Sequence, residues 1–268
     1  MHTEVLAHPV LEKRIIGGSV MPEDLAISSV NLHSTVNGGG VRCGGTLISP
    51  RHVVTVRHCV DTSASDKERN SSVKVRYGNP NLKNAKSVRS TKVTVYSKDY
   101  VKDGKRGNTF DIAVIEFPEI ELDVKTVDRA PIYDGELQVG QKGLVVGWGG
   151  AEKGVNRDLL RGGVNIVAEH KTCGLRDNDA SLICLDNDLT PGVSACAGDS
   201  GSGMFVNENG VLKLIGFDAF AKGPAGSTCG DAGRRHGYVN VLYHMDFLQE
   251  TTGLSREYLV GRSDKTPW

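Results

Sequence analysis

Three separated segments carry side chains that could together run nucleophilic catalysis. Thr55-Val56-Arg57-His58-Cys59 offers an imidazole, Asp111-Ile112-Ala113-Val114 a carboxylate, and Cys196-Ala197-Gly198-Asp199-Ser200-Gly201-Ser202-Gly203 a hydroxyl among glycines. A serine hydroxyl is a poor nucleophile until a neighbouring base takes its proton. Histidine is the side chain whose ordinary pKa suits that work near neutral pH, and a carboxylate on its far ring nitrogen fixes the tautomer and stabilises the imidazolium. Each residue alone has a plain structural reading: a histidine beside a cysteine, an aspartate turning into an apolar strand, a serine in a glycine loop. Their joint occurrence, in that order and beside cysteines, points to chemistry instead.

These residues need a frame. The chain of 268 residues is 38% hydrophobic and 24% charged, with 33 glycines, enough to bury a core in one or two domains. Short Val/Ile-rich runs recur between Gly, Asn, Asp and Pro: Thr46–Ile48, Val73–Val75, Lys92–Tyr96, Ile112–Phe117, Leu144–Val146, Val164–Val167 and Val211–Ile215. Such runs with close-set turn signals predict an all-β sandwich or barrel. Only the stretch from about Tyr243 to Thr251 reads as a helix. The polar segments 61–72 and 101–109 read as exposed loops, the second with a proteolytic nick site at Lys105-Arg106. Asn70-Ser71-Ser72 in the first is a glycosylation candidate.

Thirty-two basic and 32 acidic residues leave no net charge to attract nucleic acid or an anionic membrane. No apolar run approaches the roughly 20 residues of a spanning helix, so a soluble protein is expected. Cys43, Cys59, Cys173, Cys184, Cys196 and Cys229 form an even set without paired C-x-x-C knuckles. Disulfides in an oxidising compartment are the better reading, and a structural zinc the poorer one. Residues 1–14 lack the apolar core of a signal peptide. Secretion is still expected, with a signal removed before this sequence begins.

The three segments, with Cys43-Gly44-Gly45-Thr46-Leu47-Ile48-Ser49, resemble the chymotrypsin/trypsin-like serine proteases, and the likeness runs from Ile15 to about residue 251. The resemblance implies two six-stranded antiparallel β-barrels, residues 15–128 and 129–251, with a short C-terminal helix and the triad in the cleft between the barrels. It implies His58, Asp111 and Ser200 as that triad, the N–H groups of Gly198 and Ser200 as an oxyanion hole, and no metal or cofactor. The disulfides would be Cys43–Cys59, Cys173–Cys184 and Cys196–Cys229. Lys13-Arg14 before Ile15-Ile16-Gly17-Gly18 resembles an activation site, with 1–14 as the pro-segment. Cutting after Arg14 would free an ammonium on Ile15 to insert beside Asp199 and order the pocket. Partners would be protein or peptide substrates, an activating protease and protein inhibitors; the chain is expected to be a monomer.

The sequence also departs from that family. Val56 and Arg57 stand where two alanines are usual, and Phe217-Asp218-Ala219-Phe220-Ala221 replaces an aliphatic residue followed by Ser-Trp-Gly. Ala219 therefore lacks a hydroxyl that normally bonds the triad aspartate. Arg57 and Asp218 are expected to pair with each other. Ser194, six residues before Ser200, stands at the pocket floor and implies apolar or aromatic preference, with Ala219, Phe220 and Ala221 lining the substrate cleft. Ala221 in place of a wall glycine would shift that preference toward smaller side chains, and Asp218 inside the pocket would restore basic ones. Around His236-Gly237-Tyr238-Val239 the likeness slips by one residue, so the back wall is not assigned. A polar tail is expected over 252–268. The rival reading is a catalytically weak homologue that acts by binding protein.

Overall fold

The computed structural model describes residues 15, 18–23, 25, 27–36, 39–61, 66–96, 111–150, 157–177 and 179–262. The pro-segment with Arg14, the 101–109 loop with Lys105-Arg106, and residues 263–268 lie outside the described residues.

Eight strands come from the first half of the chain: β1 (Ser19–Val20), β2 (Ser29–Val36), β3 (Gly39–Ser49), β4 (His52–Thr55), β5 (Lys74–Tyr77), β6 (Lys86–Arg89), β7 (Lys92–Val95) and β8 (Ala113–Glu116). The second half gives β9 (Lys142–Gly147), β10 (Arg161–Ala168), β11 (Leu182–Asp186), β12 (Gly203–Glu208), β13 (Val211–Lys222) and β14 (Arg235–Asn240). One curled sheet runs β6-β5-β2-β3-β4-β8-β7. The other runs β10-β11-β14-β13-β12-β9 and closes on itself through β9–β10 pairing, with β1 attached to β10. The second sheet is thus a six-stranded closed barrel, and the first a seven-stranded sheet whose ends do not pair among the described residues.

Burial explains why these segments become strands. Val30, Leu32, Leu47, Val53 and Ile115 face one interior and are fully buried, each worth roughly 1.5–3 kcal/mol over exposure. Val145, Ile183, Leu185, Met204, Val206 and Ile215 fill the second barrel. Every residue of β4 is buried, as is β3 from Cys43 to Ser49, because these strands lie between the sheet interior and the other half of the molecule. Gly44 and Gly45 in β3 make that close approach possible: a Cβ on Gly45 would lie 2.7 Å from Val53 Cγ1.

Two segments differ from the sequence expectation. Part of the supposed 61–72 loop is a short helix, α1 (Asp66–Ser71), and Asn70 sits on it with its carboxamide oxygen accepting from the Val93 N–H at 2.9 Å. The supposed polar tail is in part core. After α2 (Met245–Thr252), which buries Met245, Phe247 and Leu248, the chain turns at Gly253 in the left-handed region (φ +71°) and starts α3 (Arg256–Leu259). Leu254, Tyr258, Leu259 and Val260 are buried. Ser255 caps α3 by accepting from the Tyr258 N–H, the Ile132 N–H donates to Leu259 O at 2.7 Å, and the Arg129 guanidinium lies 4.1 Å over the Tyr258 ring. Four apolar residues interleaved with Ser, Arg and Glu looked polar in sum, yet the turn at Gly253 and the single turn of α3 fold back and bury all four.

Candidate active site

Strand pairing places the histidine and the aspartate. β4 and β8 run antiparallel with Thr55 opposite Ala113, so the residues just past β4 meet those just before β8. A 3-10 turn over Arg57–Cys59 then presents His58. The His58 backbone N–H donates to Asp111 Oδ1 at 2.9 Å, and its Nδ1 lies 2.8 Å from Oδ2. A carboxylate at that position requires Nδ1 to carry the hydrogen, which leaves Nε2 as the acceptor. The Asp111 hydrogen bond pushes the His58 pKa upward, outweighing partial burial, with further help from the charges of Asp111 and Asp218.

The Ser200 turn is held from several sides. Within it the Asp199 N–H donates to Cys196 O and the Ser202 N–H to Asp199 O, both at 2.8 Å. β13 grips it where the Gly201 N–H donates to Asp218 O at 2.7 Å and the Asp218 N–H to Ser202 O at 3.0 Å. From the other half of the molecule, the Gly44 N–H donates to Ser200 O at 2.8 Å. Cys43, next to Gly44, is bridged to Cys59, next to His58, so the serine turn and the histidine are tied to one short stretch of covalent structure. The remaining cysteines pair as Cys173–Cys184 and Cys196–Cys229.

Glycine is needed at two points here. Gly198 has φ +94°, a left-handed geometry that side chains resist. Among the described residues neither its N–H nor that of Ser200 donates to a protein acceptor, so both are available to a ligand oxygen. Gly44 has no room for a methyl, which would press on Ser202 Oγ and come within 2.8 Å of Ser202 Cα. Gly44→Ala is therefore expected to lift the serine turn off β3, at about 1–3 kcal/mol in stability and with a fall in turnover. An unchanged melting midpoint together with unchanged turnover would contradict this.

Asp199 is buried at 1% exposure, its carboxylate accepting from the Gly149 N–H at 2.7 Å and the Cys196 N–H at 2.9 Å. Burial pushes its pKa up to about 7, against those two hydrogen bonds. Ile15 is buried as well, at 2% exposure, in the cluster of Val145, Met204 and Tyr238.

The expected Arg57–Asp218 pair does not form. Arg57 turns away along its own helical turn to Asp61, with Nη2 to Oδ2 at 2.6 Å and Nε donating to Oδ2 at 2.7 Å, and a third bond to Tyr96 O. A partner four residues on is within reach of a side chain in helical geometry, whereas Asp218 points inward from β13. There it meets His236, Oδ1 to Nδ1 at 3.2 Å, and His236 Nε2 lies 3.0 Å from Ser194 Oγ. His236 is the residue that sequence reasoning left unassigned; an imidazole beside the Gly-Tyr-Val run of β14 was the available signal. Ala219 is nearly buried, Phe220 half-buried and Ala221 exposed. The bulge in β13 between Asp218 and Phe220 sets Phe220 against Gly237, whose missing side chain the ring covers. A cavity of about 640 Å³ lined by Tyr133, Val167, Ile183 and Ile215 contains none of these residues.

A β-barrel beside a curled sheet, with an Asp-clamped histidine and a glycine-bounded serine turn tied across the two halves, is the architecture of a chymotrypsin-like serine endopeptidase. The chain belongs to the trypsin family, whose model matches residues 15–248. It is 27% identical to chymotrypsin-C of Bos taurus over 256 residues, covering 90% of each chain. It is 29% identical to brachyurin of Leptuca pugilator, covering 80% of this chain and 88% of that one. Identity to a trypsin of Tyrophagus putrescentiae is 28%, over 92% of this chain and 83% of the relative. The solved structure of HL collagenase superposes with a TM-score of 0.71 at 25% identity, covering 90% of this chain and 99% of that one. As a protease of this family it acts on protein or peptide substrates.

Proposed function

We propose that the chain is a secreted zymogen that, once cut after Arg14, hydrolyses peptide bonds through an acyl-enzyme on Ser200. The two-point grip of Asp111 on His58 carries the reading. It aims Nε2 as a base and lets the carboxylate stabilise the imidazolium without itself taking the proton. Ser200 Oγ attacks the scissile carbonyl carbon as His58 takes its proton. The resulting oxyanion is met by the N–H groups of Gly198 and Ser200. His58 then gives the proton to the leaving amine as the C–N bond breaks. A water molecule, deprotonated by the same imidazole, attacks the acyl carbon, and His58 returns that proton to Ser200 Oγ as the ester bond breaks. The Arg57–Asp61 pairing draws the guanidinium away from the catalytic histidine, and three disulfides suit an oxidising compartment. The test is a stopped reaction with a nitrophenyl ester at acid pH. The cut protein is expected to gain one acyl mass on the peptide containing Ser200, and acylation elsewhere or nowhere would refute the reading.

Asp199 supports the activation step. A buried carboxyl with two amide donors and a raised pKa is poised for a cation, and the ammonium of Ile15 created by cleavage would supply one. In the uncut chain the sign of the linkage is definite. Between pH ~4 and ~7 the unfolded chain releases a proton that folded Asp199 keeps, so stability falls as pH rises through that window and levels off above it. Relative to uncut Asp199→Asn, the uncut protein should lose up to about 4 kcal/mol between those limits. Thermal melts of both proteins at pH 4 and pH 8 measure the difference. Parallel behaviour would show that Asp199 is already charged and paired before cleavage.

A further inference from the structure

Away from the His58–Asp111 pair, the molecule holds a second line of the same three residue types: Asp218, His236 and Ser194. The imidazole lies 3.2 Å from Asp218 Oδ1 on one side and 3.0 Å from Ser194 Oγ on the other, and Ser194 also reaches Ala195 O at 2.9 Å. It is not a second catalytic centre. Ser194 has no exposure and the side chains of His236 and Asp218 have 2% and 8%, so no scissile carbonyl reaches the Ser194 hydroxyl. A buried aspartate and histidine are tolerated because they satisfy each other, which makes the arrangement a fixture of the fold.

Its location assigns its role. Asp218 exchanges backbone hydrogen bonds with Gly201 and Ser202, the two residues after Ser200. Ser194 lies on the segment that leads into the same turn. The three side chains therefore lie against the turn that carries Ser200, at the place where Ser194 is expected to floor the primary specificity pocket. His236 stands opposite Ala221 across β13 and β14, and cross-strand partners project from the same face of a sheet. Its ring bridges Asp218 on β13 and Ser194 on the segment that enters the serine turn.

We propose that His236, clamped between Asp218 and Ser194, closes the floor of the primary specificity pocket and limits the enzyme to cleavage after small side chains such as alanine, serine and glycine. The exposed Ala221 narrows the mouth by a methyl group. A phenyl, leucyl or lysyl side chain would have to evict the ring, break both of its hydrogen bonds and leave a buried carboxylate without its partner. The inference rests on Ser200 being the nucleophile, and it replaces the apolar or aromatic preference that Ser194 alone implied.

The test uses the protein cut after Arg14, titrated with a fluorophosphonate, against a peptide library varied only at the residue before the cleaved bond. Cleavage after Ala, Ser or Gly is expected to exceed that after Phe, Leu or Lys by about tenfold or more in kcat/KM. His236→Gly with Asp218→Val should reverse the order toward Phe and Leu, and His236→Gly alone should admit Lys and Arg by uncovering Asp218. A wild-type preference for aromatic, leucyl or basic residues overturns the proposal whether or not the variants fold. So does fluorophosphonate labelling with no cleavage of any peptide. Absence of labelling would fail the Ser200 reading instead, and the two failures are thereby distinguished.

Discussion

Replacing Asp111 by Asn is expected to lower kcat of the cut enzyme by about 10⁴-fold, the size of effect known for this triad in the chymotrypsin template, with little change in KM. Asp111 receives two hydrogen bonds from His58, one from the backbone N–H and one at Nδ1. An Asn carboxamide of the same shape can accept only one of them. Its NH₂ group facing the ring would favour the tautomer with hydrogen on Nε2, which cannot take a proton from Ser200. The carboxylate that raises the His58 pKa is lost as well, so the acid limb of the pH–rate profile should move to lower pH as activity falls. Steady-state kinetics of the variant provide the check. A loss below tenfold would mean that the base is held by something other than Asp111.

The second large effect is expected at Asp199, in the cut enzyme only. If the Ile15 ammonium pairs there, Asp199→Asn strands a buried charge and releases the turn that carries Gly198 and Ser200. Breaking one partner of a buried pair costs about 3–5 kcal/mol, which corresponds to a loss of roughly two to three and a half decades in kcat/KM. In the uncut chain the same substitution removes a carboxyl already disfavoured by burial and should be harmless or stabilising above pH 7. This opposite sign before and after cleavage separates a switch from a merely structural carboxyl. Equal destabilisation of both forms would leave Asp199 as a structural residue.

Much of this was legible in the sequence because the relevant signals are local. Val/Ile runs such as Ile112–Phe117 and Leu144–Val146 fall in or against β8 and β9, since a strand buried on both faces is a short continuous apolar run bounded by turn residues. His58 and Asp111 could be named as a candidate pair because each stands in a short, distinctive segment, and the structure sets His58 Nδ1 2.8 Å from Asp111 Oδ2. What escaped depends on contacts between distant segments. Arg57 and Asp218 looked like mutual partners because both are unusual, but Arg57 had a carboxylate four residues away and Asp218 faced a strand 18 residues further on. The contacts of His236 with Asp218 and Ser194 went unforeseen because a one-residue slip in a β-strand exchanges the two faces. The docking of Leu254–Val260 was hidden by its polar neighbours, since a four-residue helix is too short to show a period.

The central claim is that Ser200 becomes a competent nucleophile when the chain is cut after Arg14. Intact-mass analysis with a fluorophosphonate, on uncut protein, cut protein and cut Ser200→Ala, tests it most directly. One adduct per molecule on the cut protein, slow or absent labelling of the uncut chain, and none on the variant is the predicted result. Cut and folded protein that takes no adduct, or a Ser200→Ala variant that still takes one, would contradict it.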